Sequence, residues 1–364
     1  MKRLYATAAA ALLAAAVFLP LNTRAVSAKR AYVLDAVSGR VLYDKNPDER
    51  SLIASTTKIM TALIVCEQCN VLDRMRIPKE AVGIEGSSMY LQAGEVLTVQ
   101  ELLYGLMLRS GNDAATALAI YCGGTVEGFA QLMNDKAYRL GLDHTHFENP
   151  HGLDSPNHYS TAADMAKLAA YAMENPVFAA TVSAKKITAG NRVLQNHNKL
   201  LWTVEGADGV KTGFTKAAGR ILVSSATRNG RRLIAVTMND GNDWVDHATL
   251  FDTGFSQYQQ TLLVQAGEVL GRVEVAGGIC GEVELVAESD FCYYIAPDEE
   301  VRVVLPLNTF VYAPIAKGQC AGIAHIAVDG KVIGHVDLIY GETVERQPEM
   351  ERPWWRRLGR GGSD

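Results

Sequence analysis

The chain lacks any excess of basic residues: 35 Lys and Arg stand against 40 Asp and Glu, for a formal net charge of -5 over 364 residues. Binding to phosphate backbones draws on clustered Lys and Arg, so a general nucleic-acid binder is excluded. Internal repeats are absent too, and neither disorder nor a collagen-like composition is indicated. A hydrophobic content of 48% over this length reads as a globular protein of about two domains. Cysteine is sparse and oddly divided, with Cys66, Cys69 and Cys122 early and Cys280, Cys292 and Cys320 late. An odd number in each half excludes a closed disulfide framework within either half, and a chain of this size folds without staples. Cys66 and Cys69 form a C-x-x-C at i, i+3 in an apolar helical stretch without a second ligand pair, so buried or half-buried thiols are expected there. No H-E-x-x-H helix occurs, and His144, His146 and His158 are expected on loops or the surface and not at a metal.

What is present begins with the N-terminus. Lys2 and Arg3 precede an uncharged run from Ala6 to Leu19, about 14 residues against the roughly 20 that span a bilayer. Val26-Ser27-Ala28 follows as a small-residue cleavage site. The pattern predicts a secretory signal peptide over 1–28, with Lys29 as the new N-terminus and an exported protein.

From Ala31 to Tyr43 the alternation predicts two short strands about the Ser38-Gly39 turn. A helix follows from about Ser55 to Glu67, with Ile59, Leu63 and Cys66 on one stripe. Thr98-Val-Gln-Glu101 is a capping box that opens a second helix ending near Ser110. Further helices are predicted at 112–120, 126–140 and 161–173. Strands return at 209–213, 220–226 and 233–238, the last two joined by Asn229-Gly230, and a closing helix is expected near 246–253. After about Thr261 the segments become short and alternating, at 272–275, 282–286, 301–305, 323–328 and 331–339. The expected organisation is therefore an α/β domain over 29–260, with an antiparallel sheet beside a helical cluster, and a small all-β domain over 261–344. The tail, 345–364, is polar and carries Trp354, Trp355, Arg356 and Arg357, a cluster suited to an anionic membrane surface or to a frayed end.

Three short motifs carry the chemistry: Ser55-Thr56-Thr57-Lys58, Ser110-Gly111-Asn112 and Lys211-Thr212-Gly213. A serine hydroxyl attacks an amide poorly unless a base takes its proton. Lys58, three residues on along a helix, can reach Ser55, provided that burial and a second cation, Lys211, lower its pKa. Ser110 and Asn112 at a helix end can hold side chains in a cleft. Lys211-Thr212-Gly213 reads as an edge strand along which a peptide can lie, with Gly213 allowing close approach.

Ser-x-x-Lys, Ser-x-Asn and Lys-Thr-Gly in this order resemble the penicillin-recognising serine acyl-transferases. Asp208 to Thr215 and Asn149-Pro-His-Gly-Leu-Asp154 are similar to segments of the low-molecular-weight D-Ala-D-Ala carboxypeptidases (peptidase S11). The resemblance implies that Ser55 is the nucleophile and Lys58 its base, with Ser110 and Asn112 in proton relay and substrate amide binding. Lys211, Thr212 and Thr215 would meet the terminal carboxylate, or an arginine such as Arg220. Some relatives place an arginine before the closing helix, where this chain reads Asn242-Asp243-Trp244. The oxyanion hole would be the backbone N–H groups of Ser55 and Phe214; Phe214 stands where some relatives carry histidine. His151 would organise its loop. The substrates implied are peptidoglycan stem peptides, with β-lactams as inhibitors and no metal or cofactor. A class A β-lactamase would carry Glu-x-x-x-Asn, and Glu127, Glu148 and Glu174 each lack that Asn. A DD-endopeptidase, a slow β-lactamase and a silent wall-binding scaffold are the alternatives.

Overall fold

The computed structural model describes residues 26–306 and 309–348; Trp354 to Arg357 and most of the expected leader lie outside that range. Strands β1 (Arg30–Asp35) and β2 (Val41–Lys45) pair antiparallel around a turn in which Asp35 accepts from the Val37 and Ser38 N–H groups. A 3-10 turn, Ala54–Thr57, runs into helix α1 (Lys58–Gln68). The continuous helix expected from Ser55 thus begins as a tighter turn, with Thr56 N–H bonded to Ile53 O and Lys58 N–H to Ser55 O.

Two short strands missed in the sequence, β3 (Arg74–Arg76) and β4 (Val96–Thr98), pair ahead of α2 (Val99–Leu108), which opens on the Thr98/Glu101 capping box. Then come α3 (Asn112–Gly123), α4 (Val126–Arg139) capped by Thr125, α5 (Ala162–Ala172) capped by Thr161, and α6 (Pro176–Ser183). Helix α6 was unexpected, although Asn175 as cap and Pro176 at the first position are helix-start signals. The hairpin of β5 (Lys186–Ala189) and β6 (Arg192–Gln195) precedes α7 (Leu200–Thr203). Strands β7 (Ala207–Thr215), β8 (Gly219–Arg228) and β9 (Arg231–Met238) lead to α8 (Asp243–Gln257). Asn229 and Gly230 both take positive φ, as the tight β8–β9 hairpin requires.

The five-stranded sheet has the order β2-β1-β9-β8-β7. Its strands alternate faces: Ile221, Val223, Ile234 and Val236 enter the core formed with α1 to α6, while Leu222, Leu233 and Ala235 pack with Leu250 and Phe251 of α8. Helix α1 is buried along Lys58 to Val65, which makes it the central helix of the domain. Strand β7 is the sheet edge, and the 3-10 turn carrying Ser55 packs against it.

Residues expected to leave with the signal peptide are part of this packing. Val26 and Ala28 are buried beside Phe251, and Ser27 donates to Asp246 at 2.6 Å and to Asp240 at 2.7 Å. The described packing therefore includes three residues ahead of the expected Lys29.

The C-terminal part contains β10 (Gln259–Val264), β11 (Val269–Ala276), β12 (Glu282–Ala287), β13 (Phe291–Ile295), β14 (Val301–Val304), β15 (Phe310–Tyr312), β16 (Cys320–Val328) and β17 (Lys331–Tyr340). Six of these form a sheet of order β14-β16-β17-β12-β11-β15, and β10 pairs with β13. The expected break between 260 and 261 falls inside β10, because a strand that pairs through Gln259 cannot be divided there. Arg40 ties the two parts together, bonded to Tyr294 O and Glu299 and stacked over Tyr258 and Tyr293. All six cysteines are free; Cys66, Cys69 and Cys122 are half-buried and the three in the β domain are exposed. Among the described residues no helix is long and apolar enough to cross a membrane.

Candidate active site

Three chain segments remote in sequence meet at the N-terminal end of α1. In a 3-10 turn, side chains three residues apart eclipse one another, so Ser55 and Lys58 stand on one line, with Ser55 Oγ 3.0 Å from Lys58 Nζ. Lys58 Nζ also lies 2.7 Å from Asn112 Oδ1 and 2.5 Å from the His151 carbonyl. It is fully buried (0% exposed). Burial and the nearby Lys211 push its pKa well below that of a free lysine, only partly opposed by Asp113. An uncharged amine within hydrogen-bond reach of a hydroxyl can accept that hydroxyl's proton.

The second motif sits where α2 ends and α3 begins. Ser110 adopts a left-handed backbone (φ 61°) that reverses the chain, and Asn112 opens α3. Asn112 is held on two sides: its Nδ2 donates to Glu85 O at 2.5 Å and its N–H to Ser87 O at 2.7 Å. Asp113 fixes the same segment by accepting from Ser88 Oγ and from the Met89 and Leu91 N–H groups. Ser110 Oγ is buried without a hydrogen-bond partner among the described residues, although it lines a cavity. Buried hydroxyls rarely stay unpaired, so this one has hydrogen-bonding capacity left for a group in that cavity.

The third motif is on edge strand β7. Lys211 is 2% exposed, its Nζ donates to Thr212 O at 2.9 Å, and burial brings its pKa down to about 7. A Cβ on Gly213 would stand 3.3 Å from Ser55 N and 3.2 Å from Ile53 O, so glycine lets the strand lie against the turn that carries Ser55. Ser55, Ser110, Thr212, Gly213 and Phe214 all line one cavity of about 320 Å³.

Thr215, like Lys58, Asn112 and Lys211, is not among the residues that line this cavity. Its hydroxyl donates to Asp154 at 3.1 Å and accepts from Ala218 N–H, so it ties the 149–154 loop to the strand end. These bonds engage the Thr215 hydroxyl, to which the resemblance gives a carboxylate-binding role. Arg220, paired across from Phe214 on β8, does line the cavity. Its guanidinium grips Asp243 through Nε at 3.1 Å and Nη2 at 2.8 Å, and its side chain remains 42% exposed. Asp243, Trp244, Ser87 and His197 also line the cavity and were missed in the sequence. They belong to loops and element ends whose approach no local pattern records.

The Asn149–Asp154 loop underlies Ser55 and Lys58. Asn149 Oδ1 accepts from Gly152 N–H at 2.7 Å, Leu153 N–H donates to His151 Nδ1 at 3.2 Å, and Thr61 Oγ1 donates to Pro150 O at 2.6 Å. His158, expected on a loop, is buried: it lies 2.7 Å from Thr57 Oγ1 and accepts from Glu148 N–H at Nδ1, which puts its proton on Nε2. Burial lowers its pKa to about 4, and that of His151 to about 3 with help from Lys58. Gly152 has φ 87° and an added Cβ would fall 1.8 Å from Ala54 O. Gly152→Ala is accordingly expected to cost about 3 kcal/mol or more of stability, read as a fall in Tm of roughly 6 °C or more by calorimetry.

Comparison with known proteins identifies the family. Residues 17–242 match the family described as D-alanyl-D-alanine carboxypeptidase, and residues 258–346 match the penicillin-binding protein 5 C-terminal domain. The chain is 33% identical over 335 residues to the D-alanyl-D-alanine carboxypeptidase DacF of Bacillus subtilis, covering 88% of this chain and 86% of that protein. It is 34% identical over 349 residues to DacC of Escherichia coli, covering 90% and 87%. Among solved structures, penicillin-binding protein 5 from Haemophilus influenzae superposes with a TM-score of 0.71 at 33% identity, covering 88% of this chain and 98% of that one. The Streptomyces K15 DD-transpeptidase gives a TM-score of 0.61 at 35% identity, covering 64% and 98%. The chain therefore belongs to the D-alanyl-D-alanine carboxypeptidase family, peptidase S11, and is a serine-type D-Ala-D-Ala carboxypeptidase followed by a penicillin-binding protein 5 C-terminal domain.

Proposed function

We propose that Ser55 is the acylated nucleophile of this carboxypeptidase, with uncharged Lys58 as its base, acting on the D-Ala-D-Ala end of peptidoglycan stem peptides. The 3.0 Å approach of Ser55 Oγ to the buried Lys58 amine carries the reading. Lys58 takes the hydroxyl proton as Oγ attacks the penultimate D-Ala carbonyl. The C–N bond then breaks, the proton passes to the departing D-Ala amine by way of Ser110, and water hydrolyses the ester to free the shortened peptide. Asn112 holds Lys58 and the substrate amide. The backbone N–H groups of Ser55 and Phe214 receive the oxyanion, each such donor being worth about 2.7–4 kcal/mol in the transition state. The N-terminal end of the 3-10 turn and of α1 favours the same negative charge.

The terminal carboxylate meets Lys211, Thr212 and the free edge of Arg220, whose other edge Asp243 holds in place. Removing a charged hydrogen bond costs about 1.5–3 kcal/mol. Arg220→Gln is thus expected to raise KM for a D-Ala-D-Ala peptide by about 10- to 100-fold, with a smaller change in kcat, in a steady-state assay of D-Ala release.

β-Lactams, as mimics of the acyl-D-Ala-D-Ala end, acylate the same serine and leave a long-lived ester. The protein works outside the cytoplasmic membrane, in the wall or on the outer face of that membrane, after removal of an N-terminal leader. Because Val26 to Ala28 pack on the catalytic domain, we place the cleavage ahead of Val26. Trp354, Trp355, Arg356 and Arg357 rest on the membrane surface. The experiment for the whole reading is to incubate the protein with a pentapeptide and with a penicillin. It expects free D-Ala from the first, and from the second an added drug mass on the proteolytic fragment containing Ser55. No adduct and no D-Ala would leave the chain a wall-binding scaffold.

A further inference from the structure

Helices α1 and α3 run side by side in the same direction. At their N-terminal ends Lys58 Nζ meets Asn112 Oδ1 at 2.7 Å, and at their C-terminal ends Cys122 Sγ lies 3.7 Å from Gln68 Oε1; both contacts join residues 54 apart in the chain. The register is therefore kept along the pair, which places the far end about 15 Å from the reacting amine. Just past it, Tyr121 Oη donates to Asp73 at 3.0 Å. Contacts from two consecutive residues of α3 thus fall on either side of Cys69, the residue at which α1 ends.

Cys69 and Cys122 are half-buried against the main core, with Gln68, Asn70 and Tyr121 exposed around them, so both residues keep a face open to solvent. Their thiols hydrogen-bond to each other. The Cys122 S–H holds the Cys69 thiol below its usual range, against burial and Asp73, and Cys122 is itself pushed up in return. Cys66, one turn back on α1, is pushed up to about 12 by burial, which leaves it almost no thiolate at neutral pH.

We propose that Cys69 and Cys122 are joined by a disulfide after export, and that this bond fixes the far ends of the two helices whose near ends present Lys58 and Asn112. Disulfides form and persist outside the cytoplasmic membrane. The oxidant is itself a disulfide, such as that of a thiol oxidoreductase. The Cys69 thiolate attacks one of its sulfurs, a mixed disulfide forms and one thiol leaves; Cys122 then loses its proton and attacks Cys69 Sγ, the mixed bond breaks and the second thiol leaves. Two electrons and two protons pass from the protein to the oxidant. Cys66 remains a thiol, as an odd number of cysteines in this half requires. The new bond closes a loop of about 50 residues and so restricts the unfolded chain. Neither step involves Ser55; only the location outside the membrane is required.

The test takes the full chain, reduced and then equilibrated with oxidised glutathione, and blocks free thiols with N-ethylmaleimide before proteolysis and mass spectrometry without reductant. Expected is a linked pair of peptides carrying Cys69 and Cys122, two hydrogens lighter than the separate peptides, with Cys66 alkylated. By calorimetry the catalytic part of the oxidised protein should melt about 5 °C or more above the reduced form. That difference should be lost in Cys69→Ser and in Cys122→Ser and kept in Cys66→Ser. Alkylation of both Cys69 and Cys122, a link running through Cys66, or glutathione retained on Cys69 overturns the proposal, and so does an oxidised form that melts with the reduced one. The peptide map is read on the wild type, so it decides even if a variant fails to fold. No substrate enters either measurement, which keeps a failure of the Ser55 reading a separate result.

Discussion

Ser55→Ala is expected to abolish both the penicillin adduct and D-Ala release, while the protein keeps its fold. The substitution removes one oxygen whose neighbour, Lys58 Nζ, retains Asn112 Oδ1 at 2.7 Å and the His151 carbonyl at 2.5 Å. Packing around the 3-10 turn is set by backbone contacts and by Thr56 and Thr57, so Tm should move by no more than a few degrees. Loss of a covalent nucleophile in a comparable serine hydrolase lowers kcat by about 10⁶-fold, and among the described residues Ser55 is the hydroxyl within hydrogen-bond distance of Lys58 Nζ. Intact-mass spectrometry after exposure to penicillin reads this directly. An adduct of undiminished stoichiometry on the variant would move the nucleophile elsewhere.

Lys58→Ala should slow acylation by about 10²- to 10⁴-fold, the range of a positioned general base, with the hydroxyl still present. Lys58→Arg should be no better, since a guanidinium stays protonated and cannot accept the proton. The pH dependence has a definite sign. Lys58 acts uncharged, so kcat/KM rises with pH as the buried amine loses its proton, well below the ordinary lysine range. Lys211 acts charged, and with its pKa lowered to about 7 by burial the carboxylate site weakens as pH rises through that value. The free-enzyme profile should therefore be bell-shaped, with the alkaline limb belonging to Lys211. Lys211→Arg should extend activity to higher pH by keeping the cation, and a profile that still falls near 7 in that variant would assign the limb to another group.

Much of this architecture is legible locally. The Thr98/Glu101 box, Thr125 and Thr161 mark helix starts because the orphan N–H groups of a first turn need an acceptor, and a residue nearby in sequence supplies it. Asn229-Gly230 and Asp329-Gly330 mark hairpins because the tight turn needs left-handed backbone. The three- and four-residue strands β3, β4, β5 and β15 escape such reading: their pairing comes from a partner strand, and too few positions exist to show an alternating pattern.

By itself, the sequence determined the identities and order of the reactive groups, since Ser55 and Lys58 share a single turn and their spacing alone makes them neighbours. It also determined that the chain has a mixed catalytic part followed by a β-rich one, because periodicity and turn residues act over a few positions. Only the tertiary structure decided that Asn112 and the His151 carbonyl converge on Lys58, and that Lys211 is buried near enough to lower the lysine's pKa. The same folding turned Thr215 to Asp154 and brought Arg220 into the groove with Asp243. Those relations depend on burial and on distances between segments up to a hundred or more residues apart, and electrostatic shifts follow distance and dielectric, which have no representation in local order along the chain.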